Sequence, residues 1–342
     1  MTDAVTDKRS GRTRPGTPSN GGFWLGLIRV KELSILLVTI AAVIYFSLSS
    51  GPGFSTTQNY HTIAQYVAPW AIVGAGEVMV LICGQIDLSA GFVFTLSPFV
   101  LMLFYNNGWP LLLAVLGSIV VSAAIGAVNG LVHTIFGLSS FITTLGMAFL
   151  LWGISLIISG GSPVSAPTGS WVVSVFGGWG WSEFLWAVVV VLVMQVVLST
   201  TRFGISTQAT GGNPIGAAEA GIRTDRVKVV CFTIVGGLAG LAGILQGTRV
   251  GSYDPTNGGF NTMFFGVAAA VIGGTALLGG SGTVIGAFLG ALLLGLVYDG
   301  FNLTGISANG FYVVLGAAIL IAALLNVYLT IVRKRLGARR HS

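Results

Sequence analysis

The sequence predicts an all-α, polytopic membrane protein of about ten transmembrane helices, with an inverted internal repeat relating spans 2–5 to spans 7–10. Three observations carry that expectation: the balance of apolar to charged residues, the gathering of basic residues into three patches, and a similarity between two segments five spans apart. Of the 342 residues, 54% are hydrophobic and only 8% charged, and the mean hydropathy is +0.88. A soluble domain would carry about a quarter charged residues. The 51 glycines suit helices that pack closely in lipid, where contact replaces water exclusion as the driving force.

Taken in order, residues 1–32 open with "MTDAVTDKRSGRTRPGTPSNGG", a basic, Ser/Thr/Pro/Gly-rich stretch that reads as a disordered cytoplasmic tail. Residues 33–342 read as one membrane domain. A span needs about 20 mostly apolar residues. On that basis spans are expected at 33–49, 68–83, 88–105, 111–132, 141–159, 184–198, 229–245, 263–278, 284–298 and 311–332. The first apolar run starts late and "SLSSGPGFSTTQ" after it holds no A-x-A-like site, so it reads as a retained span rather than a signal peptide. Between spans five and six lie Trp171, Trp179, Trp181 and Trp186, aromatic residues of the kind that settle at a membrane–water interface. Cys83 and Cys231 fall in apolar runs without metal-ligand spacing and read as packing residues.

The basic residues decide orientation. Lys8, Arg9, Arg12, Arg14, Arg29 and Lys31 precede the first span, and Arg202, Arg223, Arg226 and Lys228 sit in residues 199–228. Arg333, Lys334, Arg335, Arg339 and Arg340 end the chain, and Arg249 stands apart. With the N-terminus in the cytoplasm, ten spans bring all three patches inside, as the positive-inside rule requires. The net charge of +6 therefore reflects topology, and no contiguous basic face for nucleic acid is present. The expected location is the cell (inner) membrane, multi-pass, with both termini cytoplasmic.

The repeat aligns "NGLVHTIFGLSSFITTLGMA" from Asn129 with "DGFNLTGISANGFYVVLGAA" from Asp299. Gly130/Gly300, Thr134/Thr304, Phe141/Phe311, Leu145/Leu315 and Gly146/Gly316 coincide, and upstream "ICGQIDLSAG" faces "IGGTALLGGSG". An odd offset of five spans makes the copies antiparallel in the membrane, an arrangement that places a transporter's site between its halves.

Chemistry on a substrate is not expected. The sequence has no G-x-x-x-x-G-K-[ST] phosphate loop, no H-E-x-x-H or Cys/His cluster and no G-x-S-x-G elbow. His61 is read as lying in a loop and His133 at a span end. No catalytic or metal-binding residue is assigned. Attention falls instead on Glu77 and on Asp87 in "ICGQIDLSAG", because carboxylates near membrane depth are costly. Gly84 lets the chain turn, and Asp87 before a resuming helix reads as an N-cap. The segment is thus a self-capped helix break, tolerated at depth only inside protein or beside a water-filled cavity. Asp87 reads chiefly as architecture, whereas Glu77 fits pathway lining and simple burial equally. Gly84, Gln85, Ser89, Gly91, Asn129 and Asn302 join these two as candidates for the path or the break.

Residues 199–228 form the longest expected cytoplasmic connection. In "GGNPIGAAEAGI", Asn213 reads as the N-cap, Pro214 as the first helical residue and Gly221 as the stop. So short a helix must dock on something, through the small face of Ala217, Ala218 and Ala220, or else lie as a linker on the membrane surface.

"GQIDLSAG", "NGLVHTIFGLSSFITTLGMAFLLWGISLIISGG", "FGISTQATGGNPIGAAEAGI" and "VAAAVIGGTALLGGSGTVIGAFLGALLLGLVYDGFNLTGI" resemble, in this order, signature stretches of bacterial ABC-transporter permeases of the ribose, xylose and galactose uptake type. The match covers the chain from about residue 68 onward. The resemblance implies an all-helical permease that works as a homodimer in lipid. It also implies an ATPase partner with two nucleotide-binding domains, which holds the ATP and magnesium that this chain lacks. A sugar-binding protein outside the cytoplasm would deliver the substrate. By the same resemblance Gly211, Gly212, Asn213, Ala217, Ala218, Glu219 and Gly221 form a coupling helix for the ATPase. Two positions depart from the family pattern: Gln85, where a second Gly is common, and Ser281, where Arg is frequent. Cargo of another kind, branched-chain amino acids or nucleosides, stays open, as does an ion-coupled carrier using Glu77 and Asp87.

Overall fold

The computed structural model describes residues 31–305, 310–321 and 324. The expected tail, apart from its last two residues, and the C-terminal basic patch lie outside the described residues. Twelve helices of six or more residues organise the described residues: α1 (Lys31–Ser49), α2 (Thr57–Ile82), α3 (Ala90–Asn106), α4 (Leu111–Phe136), α5 (Ser140–Ser159), α6 (Ser182–Thr200), α7 (Arg202–Gly212), α8 (Pro214–Glu219), α9 (Thr224–Val250), α10 (Gly259–Ile272), α11 (Val284–Thr304) and α12 (Gly310–Ile321). Two two-residue strands, β1 (Val164–Ser165) and β2 (Ser252–Tyr253), pair antiparallel with Val164 opposite Tyr253.

Seven of these helices, α1, α2, α4, α5, α6, α9 and α11, are long and apolar enough to cross a membrane. The shorter apolar helices α3, α10 and α12 overlap the third, eighth and tenth expected spans. At 1.5 Å per residue α3 extends about 26 Å and α10 about 21 Å, short of a hydrocarbon core of about 30 Å. Both adjoin an interruption in the chain, and that interruption is where the site lies.

Burial sets the layering. α2 is the central helix, with 89% of its most apolar window buried, against 17% for α1 and 22% for α5. Lipid-facing helices expose leucine, isoleucine and valine instead, as Leu37, Val120, Ile157 and Val193 do. α9 lies against α4 without side chains between them: a Cβ on Gly126 would overlap the Phe232 carbonyl oxygen, and one on Gly236 the Ser122 carbonyl. Tyr253 fills a small satellite core with Phe99 and Ala166 at the strand pair. Burial pushes its phenol up, and a hydrogen bond with Thr248 works against that shift.

Three expectations need correction. The second span begins at Thr57 rather than near 68, because Thr56 caps it by accepting from the Asn59 amide and Pro69 is accommodated inside it. His61 is consequently helical, not in a loop. The eighth span stops at Ile272 instead of 278, since Gly274, Gly279 and Gly280 all adopt positive φ. The connection 199–228 is a chain of helices, with α7 and α8 between the end of α6 and the start of α9.

Candidate functional site

The central helix α2 ends at Ile82 and the chain resumes as α3 at Ala90; α10 ends at Ile272 and the chain resumes as α11 at Val284. The two interruptions are closed by the same backbone bonds. Cys83 N–H donates to Met79 O, Gly84 N–H to Leu81 O and Gln85 N–H to Val80 O. In the second break Gly273 donates to Ala269 O, Gly274 to Val271 O and Thr275 to Ala270 O. Gly84 (φ 73°) and Gly274 (φ 92°) hold equivalent left-handed positions, which glycine adopts without a Cβ penalty. They also stand opposite one another in the repeat alignment. Thr134 and Thr304, likewise aligned, each donate at 2.8 Å to the carbonyl four residues back, Gly130 and Gly300.

Asp87 lies in the first break and is fully buried. Its Oδ1 accepts from the Ser89 amide (2.8 Å) and the Ser89 hydroxyl (2.7 Å). Asp87 is therefore not the N-cap of α3, as the sequence suggested. Ser89 occupies that position, and Asp87 ties a turn one step earlier, because an Asp side chain reaches the amide two residues on. Ser89 Oγ in turn accepts from Asn129 Nδ2 of α4 at 2.7 Å. The break is fastened to α5 as well: Leu88 N–H donates to Thr144 Oγ1 (3.0 Å) and Ile86 N–H to Ser140 Oγ (3.4 Å). Glu77, inside α2, is also fully buried and lies near Asp87. Among the described residues no hydrogen bond of ordinary geometry reaches either Glu77 oxygen, Asp87 Oδ2 or Asn129 Oδ1, although the Asp87 backbone lies beside the Glu77 carboxyl. Gly84, Gln85 and Ile86 reach the surface of the chain, and Gly91 packs on the Gly259 backbone.

Asn302 does not join this group. It is exposed near the end of α11, and the residue opposite Asn129 is Asp299, which is buried and accepts from Asn59 Nδ2 at 2.8 Å. Sequence reasoning passed over Asp299 although the alignment pairs it with Asn129. It also missed Gln195 of α6, whose Oε1 accepts from the Val284 and Ile285 amides (2.9 and 3.1 Å) and so completes the cap that Thr283 gives α11.

The short helix α8 is capped as its sequence suggests. Asn213 Oδ1 accepts from the Gly216 amide at 3.0 Å and Pro214 occupies the first turn. At its far end Ala220 donates to Gly216 O, Gly221 to Ala218 O and Ile222 to Ala217 O, with Gly221 at φ 83°. Ala217 is buried in the chain itself, whereas Ile215, Ala218 and Glu219 are exposed. Ala220 is exposed too, so of the expected Ala217–Ala218–Ala220 face only Ala217 turns inward, and Ile215 and Glu219 join the two outward alanines. At the end of α7 that leads into α8, Gly211 and Gly212 lie against the two breaks, where Gly280 N–H donates to Ile82 O at 2.7 Å.

Elsewhere Arg249 is not a free cation. Its Nε donates to Glu183 Oε2 (2.6 Å) and its Nη1 to Gln65 Oε1 (3.3 Å); Gln65 meets His61, whose Nε2 donates to Gly180 O at 2.6 Å. The tryptophan-rich segment borders an open apolar cleft of about 450 Å³ lined by Trp179, Leu185, Trp186 and Val189, which shares no residue with either break. Among the described residues no group of three or more His, Cys, Asp or Glu is placed to hold a metal.

Residues 59–323 match the protein family described as branched-chain amino acid transport system / permease component. The chain is 36% identical over 314 residues to the xylose/arabinose import permease protein of Sulfolobus acidocaldarius, covering 89% of this chain and 87% of that one. It is 35% identical over 309 residues to the ribose import permease protein of Escherichia coli K12, covering 88% and 94%. The D-allose transport system permease protein of the same bacterium is 32% identical over 310 residues, covering 89% and 94%. No solved structure matches the chain.

Proposed function

This chain belongs to the family of branched-chain amino acid transport system permease components, and on that premise we propose that it is the membrane-spanning subunit of an ATP-driven importer of a sugar. Permeases of this kind are not enzymes. The cargo follows the relatives, three of which are named for xylose/arabinose, ribose and allose. The observation that carries the reading is α8. It is too short to be stable alone, is anchored inward by Ala217, and presents Ile215 and Ala218 outward. That exposed knob, flanked by Arg202, Arg223 and Lys228 on the side that the positive-inside rule makes cytoplasmic, is the docking element for a separate ATPase that supplies ATP and magnesium.

In this scheme Gly211, Gly212, Asn213, Ala217, Ala218, Glu219 and Gly221 build and hold the coupling helix. Two copies of the chain enclose the path, and an extracytoplasmic binding protein selects the sugar. Gln85 and its neighbours line the path beside the first break, while Asp87, Ser89 and Asn129 keep the break in shape. Both chain ends lie in the cytoplasm. ATP binding by the partner favours one orientation of the dimer through contacts that differ between the two states.

Replacing Ala218 with Arg tests the assignment. ATPase copurification should fall at least tenfold while membrane insertion of the chain is unchanged; undiminished copurification would sink it. A second reading, an ion-coupled carrier, is favoured by one observation, the full burial of two neighbouring carboxyl groups, Glu77 and Asp87. Uptake by the chain alone under an ion gradient would establish it.

A further inference from the structure

The end of α7 meets both breaks at a node made almost wholly of backbone. Gly280 N–H donates to Ile82 O at 2.7 Å, which links the second break to the last carbonyl of α2. A Cβ on Gly211 would overlap that same carbonyl and stand 2.8 Å from the Gly280 nitrogen. A Cβ on Gly279 would stand 2.9 Å from both Ile82 O and Gly84 N and 3.1 Å from Gly211 O, and one on Gly280 would be 2.8 Å from Gly212 Cα. Gly279 and Gly280 have φ of 86° and 80°, the region that residues with side chains rarely enter. Three chain segments far apart in sequence, 82–84, 211–212 and 279–280, therefore touch with no rotamers between them. Asn213, the cap of α8, follows Gly212 directly.

We propose that this glycine node is the joint that passes movement of α8 to both membrane breaks at once, with Gly211, Gly279 and Gly280 as positioning residues for transport. The proposal rests on the coupling reading of α8. Its physical basis is stiffness: side chains in a contact absorb displacement by changing rotamer, whereas backbone packed on backbone must shift as a body. A shift of α8 then moves Gly211 against Ile82 and Gly280 together, or else breaks the hydrogen bond between them. The two breaks respond in concert because that bond and the shared contact join them. The exposed α8 face, which would meet the ATPase, is not part of the node, so docking and transmission are separable.

The first measurement uses the wild-type chain with its ATPase in lipid nanodiscs, following amide hydrogen exchange with and without ATP and magnesium. Peptides covering 82–90 and 273–283 should change at least fivefold in exchange rate together with those covering 208–222. A change confined to 208–222 overturns the joint while leaving docking intact. No change at 208–222 between the chain alone in nanodiscs and the chain with its ATPase overturns the docking reading, and the joint with it. The second measurement uses Gly211→Ala in the assembled complex. Copurification of the ATPase should stay within twofold, sugar uptake should fall at least tenfold, and ATP hydrolysis should lose its response to sugar-loaded binding protein. Gly153→Ala in α5, where a Cβ meets nothing within 4 Å, should keep uptake within twofold. Should Gly211→Ala retain coupled uptake, or lower uptake only in proportion to the amount of complex formed, Gly211 is ordinary packing and the proposal is wrong.

Discussion

Asp87 gives the sharpest test of what the first break needs. Asp87→Leu removes the acceptor of two buried donors, the Ser89 amide at 2.8 Å and the Ser89 hydroxyl at 2.7 Å. Each buried polar group left without a partner costs about 1–3 kcal/mol, so the two together cost about 2–6 kcal/mol, a factor of roughly 30 to 10⁴ in the folded population. The loss spreads further, because the freed Ser89 hydroxyl is the acceptor that holds Asn129 of α4 at 2.7 Å. Asp87→Asn keeps a carbonyl oxygen at the Oδ1 position and puts its amide where Oδ2 has no partner, so its cost is about 1 kcal/mol or less. The assay is the apparent melting midpoint of detergent-purified chain, followed by tryptophan fluorescence, together with the yield of monodisperse protein. Asn should lie near wild type and Leu far below it. Equal loss in both variants would show that the negative charge itself is required, and a Leu variant as stable as wild type would refute the capped-turn argument.

Two further outcomes follow from the same physics. Arg249→Met strands the buried Glu183 carboxylate, and breaking a buried pair in this way costs about 3–5 kcal/mol; the double variant Arg249→Met/Glu183→Gln should recover most of that stability in the same melting assay. At Gly84 a Cβ would find room, 3.7 Å from the Leu278 carbonyl, so the constraint is φ alone. Gly84→Asn should therefore lose no more than about 1 kcal/mol and Gly84→Val about 2 kcal/mol or more, and equal melting points for the two would contradict the left-handed requirement.

Hydropathy carried most of the architecture, because a membrane helix announces itself by an unbroken apolar run, and each of the ten expected spans overlaps a helix. The first break was legible because Gly84 and Asp87 interrupt such a run with residues that lipid does not tolerate. The second was not, since Ala276, Leu277 and Leu278 keep the run apolar while glycine is common in membrane helices. Only its backbone conformation reveals it. The cap of α8 could be read from Asn213–Pro214, a purely local signal. Which alanine turns inward depends on where α7 and α9 lie, so Ala217 was misjudged as part of the outer face. Asp299 was overlooked for the same reason: one turn of α11 separates it from the exposed Asn302, and sequence does not say which face of a helix meets a partner. The Arg249–Glu183 pair, 66 residues apart, lies beyond any periodicity argument.

In the proposed importer the driving energy enters through the partner ATPase. The direct measurement is uptake of radiolabelled pentose or hexose into proteoliposomes holding the chain, with the ATPase and sugar-binding protein added or withheld. Uptake should require both partners and ATP on the ATPase side, and should be absent when the chain alone faces a sodium or proton gradient. Accumulation driven by such a gradient without either partner would contradict it.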